Sequence, residues 1–230
     1  MTSSGNHLVQ SLPRKDRALF LSECQSISLQ FAQVLSEAGE PARHVYFPID
    51  CSISLIASNE GRASLEVGMV GREGMLGEQL FLGESAAPAH ALVQRPGMAW
   101  QMTKSRFLQH LKDSEALRRI MQRYLYVRVL QSGTQAVCTH FHQVSPRLAR
   151  WLLMSQDRAH TDSFRITQEF LAHLLGVRRV AITKAAGGLQ HEGLIKYHHG
   201  FLTVLDRSGL EAVACTCYAN DADAYDRLLA

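Results

Sequence analysis

The chain of 230 residues has no run of 18 or more apolar residues, so no segment is long enough to cross a bilayer as a helix. Its opening stretch, MTSSGNHLVQSLPRKD, lacks the apolar centre of a signal peptide, and a cytoplasmic protein without a membrane partner is expected. Cysteine is sparse and odd in number. Cys24, Cys51, Cys138, Cys215 and Cys217 are scattered in a way that excludes a disulfide framework. No C-x-x-C pair and no H-E-x-x-H occurs, and the G-x-S-x-G, P-loop and kinase signatures are missing as well. The chain is therefore not expected to be an enzyme. A strong excess of one charge is missing too, since 24 Lys and Arg face 21 Asp and Glu.

What charge there is lies unevenly. Residues 1–110 hold nine basic and ten acidic side chains, residues 111–210 fourteen against seven, and the last twenty one against four. A basic excess confined to one region is the footprint expected of phosphate binding, although a solvated basic face looks the same by charge alone. Seven of the eleven histidines lie at 140–199, which raises the question of metal. The densest clusters are His140-Phe-His142 and Cys215-Thr-Cys217. Residues two apart point about 200° from each other on a helix, so neither pair can chelate while helical. No metal and no cofactor is expected; His44 and His90 are the only candidates for haem ligands, and read more simply as polar residues.

The stretch Ile166–Ile195 organises the rest. Thr167 can cap a helix whose first turn holds Gln168 and Glu169, and Leu171, Leu174 and Leu175 then share one face. Gly176 supplies the positive φ of a tight turn. A second helix starts near Arg178 and buries Ile182, Ala185 and Leu189, while Arg179, Val180, Thr183, Lys184 and Gly187 lie on its other face. Ala172 is small where two helix backbones would meet, Gly176 follows four residues later and Ile182 six after that. A short helix, a glycine turn and a basic second helix make a helix-turn-helix. Ile195–His198 and Phe201–Leu205 form a hairpin around His199-Gly200, a wing.

At these residues the chain resembles the Crp/Fnr family of bacterial transcription regulators, whose DNA-binding domain has the same pattern and the same Ile-Thr opening. The resemblance continues through Gly193, Leu194 and Ile195 and, more loosely, over nearly the whole chain. It implies an α+β protein with an N-terminal double-stranded β-roll (jelly-roll-like), a long dimerisation helix and a C-terminal winged helix-turn-helix. The expected domains are 1–112, 113–142 and 143–230. The residues outside the motif read compatibly. Residues 16–38 suggest short helices with Leu19, Phe20, Cys24, Phe31, Val34 and Leu35 as apolar stripe. From His44 to Met102, short apolar runs between turns suggest about eight strands. Gly68, Gly71, Gly74 and Gly77 are expected in turns of that roll.

Gly77-Glu78 stands where cyclic-nucleotide-binding relatives hold a Gly-Glu pair that contacts ribose. Where those relatives carry the Arg-Ser that binds the cyclic phosphate, this chain has Pro88 and Ala89. A proline cannot replace a guanidinium that pairs with phosphate, so cyclic AMP is not the expected effector, and the effector site is unknown. Glu78 then reads as a structural hydrogen-bonding residue. The oxygen-sensing branch of the family uses several N-terminal cysteines, of which only Cys24 is present here.

Ser114 should cap a long helix to about His142. On it Ile120, Tyr124, Val127, Gln131, Thr134, Cys138 and Phe141 recur in steps of four and three. That roughly 3.5-residue period suggests a two-stranded seam and a homodimer, with Leu117, Leu125 and Val129 turned to the chain's own roll. Within such a seam two copies of Cys138 would meet, which makes redox sensing conceivable. Ser145-Pro146 opens a further helix carrying Leu148, Trp151 and Leu152, and Ser208 with Glu211 suggests a capping box before a solvated acidic tail.

The function expected is sequence-specific binding of double-stranded DNA by a homodimer on a roughly palindromic operator. Arg179 is the candidate for a bidentate contact to guanine, with Lys184 one turn on. Arg178 and Gln168 suit phosphates, Thr183 either, and His199 lies at the wing tip. Relatives carry base-reading Arg at positions matching Arg179 and Lys184, whereas Val180 replaces a Glu that many use to read cytosine. The resemblance further implies RNA polymerase as a protein partner and leaves room for an unidentified small-molecule effector. The alternative is a ligand-binding β-roll whose helix-turn-helix serves protein contacts.

Overall fold

The computed structural model describes residues 5–59, 63–159 and 161–229. The chain divides into two compact units. One comprises Met1–Leu55, Gly68–Val129 and Tyr225–Ala230, the other Ile56–Val67 and Leu130–Ala224.

The first unit opens with two short helices, α1 (His7–Gln10) and α2 (Arg14–Ser22). Strands β1 (Gln25–Leu29), β2 (Val34–Ser36), β3 (His44–Pro48), β4 (Ser52–Asn59), β5 (Ala63–Val70), β6 (His90–Arg95) and β7 (Gly97–Thr103) follow. They form two sheets, ordered β1-β7-β3 and β2-β6-β4-β5. Among the described residues the stretch from His44 to Met102 holds five strands rather than about eight, and β1 and β2 come from the residues before it. The expected helices over 16–38 hold only to Ser22. Beyond it, Gln25–Leu29 pairs antiparallel with β7, Ile27 opposite Ala99 and Leu29 opposite Gly97. The apolar residues there alternate with Ser26 and Ser28, and that period of two decides for strand. Phe31 and Val34, assigned to an apolar stripe, are exposed. The core gathers Phe20, Val45, Phe47, Met75, Met102, Phe107 and Tyr124, with Phe20 edge-on to Phe47 at 5.2 Å.

Of the four glycines expected in turns, Gly77 has φ 102 and a Cβ there would press on Val45. Gly68 instead lies inside β5, where a Cβ would fall 2.8 Å from the Arg128 guanidinium. Close approach of a side chain, not a turn, is what that position requires.

Helix α3 (Lys104–Asp113) leads into α4 (Glu115–Phe141), which Ser114 caps by accepting the Leu117 N–H at 3.1 Å. The two apolar stripes of α4 are exchanged only in part, since Leu117 is buried in the chain's own core as expected and Phe141 of the expected seam is exposed. Tyr124, Val127 and Cys138 are essentially inaccessible within the chain, Tyr124 exchanging hydrogen bonds with the Met75 backbone in both directions. Val129 is 66% exposed and Phe141 72%, as are Tyr126 and Val137 in good part. At about 100° per residue, Tyr126, Val129, Gly133, Val137 and Phe141 fall on one face, roughly 130° from the buried stripe.

In the second unit, α5 (Val144–Ala159) buries Leu148, Trp151 and Leu152. Strand β8 (Ser163–Arg165) precedes α6 (Gln168–Leu175) and α7 (Arg179–His191), and β9 (Ile195–His198) and β10 (Phe201–Val204) complete a sheet ordered β8-β10-β9. The wing thus has a third strand, Phe201 pairing with Arg165, in a segment too short for a sequence pattern. Helix α8 (Arg207–Val213) is capped by Asp206, which accepts the Gly209 N–H at 2.9 Å. The expected capping box of Ser208 and Glu211 does not form. Ser208 is already helical, and Glu211 pairs with Arg207 at 2.9 Å. Nor is the acidic tail merely solvated. It forms α9 (Cys217–Leu229), which buries Asp221 and Ala224. An α+β chain with an N-terminal β-roll, a long helix and a C-terminal winged helix-turn-helix is the architecture the sequence suggested. Among the described residues no helix is long and apolar enough to cross a membrane.

Candidate nucleic-acid interface

Thr167 starts α6 by accepting the Phe170 N–H at 3.1 Å, and Gly176 ends it with φ 62 and ψ 40. That left-handed cap lets the Val177 and Gly176 amides close onto the last carbonyls of α6 and turns the chain into α7. Leu171, Leu174, Leu175 and Ile182 are fully or nearly fully buried, worth roughly 1.5–3 kcal/mol each against exposure. The second helix begins at Arg179, with Arg178 at the cap position and no side chain bonded to its free N–H groups. Its first turn therefore presents partial positive charge with two arginines beside it.

Arg178, Arg179, Val180, Thr183, Lys184 and Gly187 are all exposed on one side of α7. Among the described residues none of the three cations has a carboxylate partner. Val180, 71% exposed, offers only apolar contact. Thr183 donates to the Gln168 Oε1 at 2.7 Å, with the Arg179 carbonyl at 3.2 Å as its other acceptor. Gln168 is thus tied to the exposed face of α7, leaving its amide group to donate. Helix α7 runs through Gly187 and Gly188 without shortening, and a Cβ at either would meet nothing.

His199 occupies the wing tip with φ 46, its ring 3.9 Å from that of His198. An open groove of about 520 Å³ joins the wing to the motif, lined by Thr167, Gln168, Glu169, Arg179, Tyr197, His198, His199 and Gly200. The sequence reading brought together here is Gln168, Arg179 and His199; Arg178, Val180, Thr183 and Lys184 continue the same face outside the groove. Five lining residues lay outside that reading, Thr167, Glu169, Tyr197, His198 and Gly200. Tyr197 donates its hydroxyl to the Ile166 carbonyl at 2.8 Å, and partial burial pushes its pKa up against the pull of Arg179. Glu169, 3.6 Å from His173, adds a negative charge that repels phosphate. Alternation along β9 places Tyr197 opposite in direction to His198, a cue the sequence did contain.

A second concavity lies in the first unit, a cavity of about 210 Å³ whose polar lining includes Glu40, Arg43, His44 and Glu78, with Pro88 and Ala89 in its wall. Glu78 accepts from the Arg128 Nε at 3.3 Å in a nearly buried pair, a structural role that matches the expectation. Of the two histidines considered for haem, His90 is held by Glu37 at 2.7 Å. Cys138 is not in an intermolecular seam. It lies buried with its sulfur 3.6 Å from that of Cys215, so disulfide exchange between two copies of Cys138 has no geometric basis.

Residues 27–114 match the model of the cyclic nucleotide-binding domain, and residues 146–213 that of the Crp-like helix-turn-helix domain. The global nitrogen regulator of Nostoc sp. is 24% identical over 175 residues, which span 72% of this chain and 78% of that protein. Among solved structures, the c-di-GMP responsive global regulator CLP of Xanthomonas campestris superposes with a TM-score of 0.68 at 20% identity, over 84% of this chain and 99% of that one. FixK2 of Bradyrhizobium japonicum gives 0.70 at 12% identity, over 84% and 98%.

Proposed function

Because a chain that joins a cyclic nucleotide-binding domain to a Crp-like helix-turn-helix belongs to the Crp/Fnr family of DNA-binding transcription regulators, we propose that this one acts as a homodimer on a roughly palindromic operator. The observation that carries the reading is the face of α7, where Arg178, Arg179 and Lys184 stand exposed at and beyond an uncapped helix start. Such a start suits phosphate, and the residues following it reach base edges in the major groove. Arg179 reads a guanine, Lys184 a base or phosphate, and Arg178 and the Gln168 amide hold the backbone. Thr183 is oriented by Gln168, Val180 meets a thymine methyl, and His199 touches the backbone from the wing.

The exposed stripe of Tyr126, Val129, Val137 and Phe141 supports self-association. Four large apolar side chains on one face of α4, with Gly133 flat between them, fit a second copy of the same helix. The two recognition helices would then meet half-sites about 34 Å apart. The functional divisions remain 1–112, 113–142 and 143–230. RNA polymerase is the protein partner in this reading, and the effector is a small molecule other than cyclic AMP. Glu78 is already engaged by Arg128, and Pro88 and Ala89 put no guanidinium at the wall where cyclic-nucleotide-binding relatives carry theirs, Arg43 being the arginine elsewhere in the lining.

Selection from random DNA followed by affinity measurement tests the assignment. Arg179→Ala should lose about 1–3 kcal/mol and relax preference at one base pair, while Arg178→Ala weakens specific and random DNA alike. Equal losses on both kinds of DNA for both variants would refute the division of roles, and no selected sequence at all would refute the function.

A further inference from the structure

We propose that Cys138, His142, Cys215 and Cys217 form a closed site for one soft, tetrahedral divalent cation of the zinc class. One ligand atom from each lies within 4.8 Å of all the others. The Cys138 and Cys215 sulfurs are 3.6 Å apart, as are the Cys217 sulfur and the His142 Nδ1. Zinc–sulfur bonds of about 2.3 Å and zinc–nitrogen bonds of about 2.0–2.1 Å give tetrahedral edges of roughly 3.5–3.8 Å. Two edges of the polyhedron therefore already have the required length, and the others need only a small contraction.

The reason local spacing hides this site is its construction from two separate segments. Cys138 lies on α4 and His142 directly follows its last residue, with the His142 N–H bonded to the Cys138 carbonyl at 3.2 Å, so the two side chains stay on one side. Cys215 precedes α9 in non-helical backbone, and Cys217 is the first residue of that helix. The objection that residues two apart diverge on a helix does not reach a pair of which only one member is helical. His140, by contrast, is exposed and points elsewhere.

Burial and charge agree. The three cysteines are at most 7% exposed and His142 is half-buried, so four protein ligands close the site and leave no position for substrate. Binding releases the thiol protons, and three thiolates with a dication leave one net negative charge. Arg147 and Arg150 are buried beside the cluster, and both interact electrostatically with Cys138 and Cys215. Arg150 has Asp221 as a partner, but among the described residues Arg147 has no carboxylate. A thiolate-bound cation supplies that missing counter-charge, in the manner of the outer partners that orient metal ligands. Thiolate-rich sets select zinc and cuprous copper over the hard cations. The inference is independent of DNA binding.

The test uses the full chain, purified under reducing conditions from zinc-supplemented culture. Elemental analysis should find one zinc per chain, released to a chromogenic chelator when an organomercurial blocks the thiols. Cobalt(II) added to the metal-free protein should give thiolate-to-cobalt charge transfer and the intense visible bands of tetrahedral coordination. Cys215→Ser and His142→Ala should lose or weaken the metal, whereas Cys24→Ser and Cys51→Ser keep it. Should Cys215→Ser fail to fold, His142→Cys, which keeps four ligands, and the wild-type cobalt spectrum decide instead. A reduced chain that takes up neither zinc nor cobalt overturns the proposal. So does isolation with a Cys138–Cys215 disulfide in place of metal, or equal zinc loss in Cys24→Ser.

Discussion

The guanidinium of Arg150 shows how much one side chain can hold in place. It donates to the Asp221 carboxylate at 2.6 Å and to the Gln135 side-chain oxygen at 2.8 Å, with both members of the ion pair about 8% exposed. Burial pushes the Asp221 pKa up in spite of Arg150 alongside. Removing one partner of such a pair strands the other, so Arg150→Met should lower stability by about 3–5 kcal/mol in urea unfolding. Asp221→Asn in the same chain should recover most of that loss; if it does not, the pair is not what Arg150 contributes. Nothing in the sequence announces this contact, because its partners are far apart along the chain and neither belongs to a local pattern. Thr167, Gly176 and the Arg178-Arg179 pair were legible for the opposite reason. Caps, positive-φ turns and helix starts are decided by neighbours within a few residues.

Elements repeat that contrast between local and distant causes. The extent of α4 follows from Ser114 and the length of its apolar pattern, yet the face turned to the chain's own core does not. A helix with apolar residues on two faces satisfies the same periodicity either way, and only the position of Met75 behind Tyr124 settles it. The misread strand β1 is similar: five residues are too few to outvote a helical stripe begun at Leu19. The exposed face of α4 carries its own prediction. Val129→Glu with Val137→Glu should leave the fold of the single chain intact by circular dichroism, because both side chains lie outside its own core. In sedimentation, however, the variant should run as a monomer, with operator affinity falling at least tenfold. A variant that remains dimeric would place the seam elsewhere.

For the molecule as a whole, the β-rich first half, the long helix and the winged motif could all be read from composition shifts and periodicity, since each is an extended pattern. The cavity beside Glu78, the third wing strand and the cysteine–histidine cluster could not, since each is assembled by the finished fold. The matched helix-turn-helix outline stops at residue 213, whereas folded structure runs on through α9. A chain cut after Val213 would keep the residues proposed to face DNA and still strip Arg150 and Cys138 of their partners Asp221 and Cys215. Such a fragment should express as inclusion bodies or unfold at markedly lower temperature by calorimetry; a soluble fragment with the parent's melting point would show α9 to be dispensable. Anyone trimming this protein for spectroscopy or fusing a reporter to it should accordingly leave the carboxyl-terminal rung intact and build from the other end.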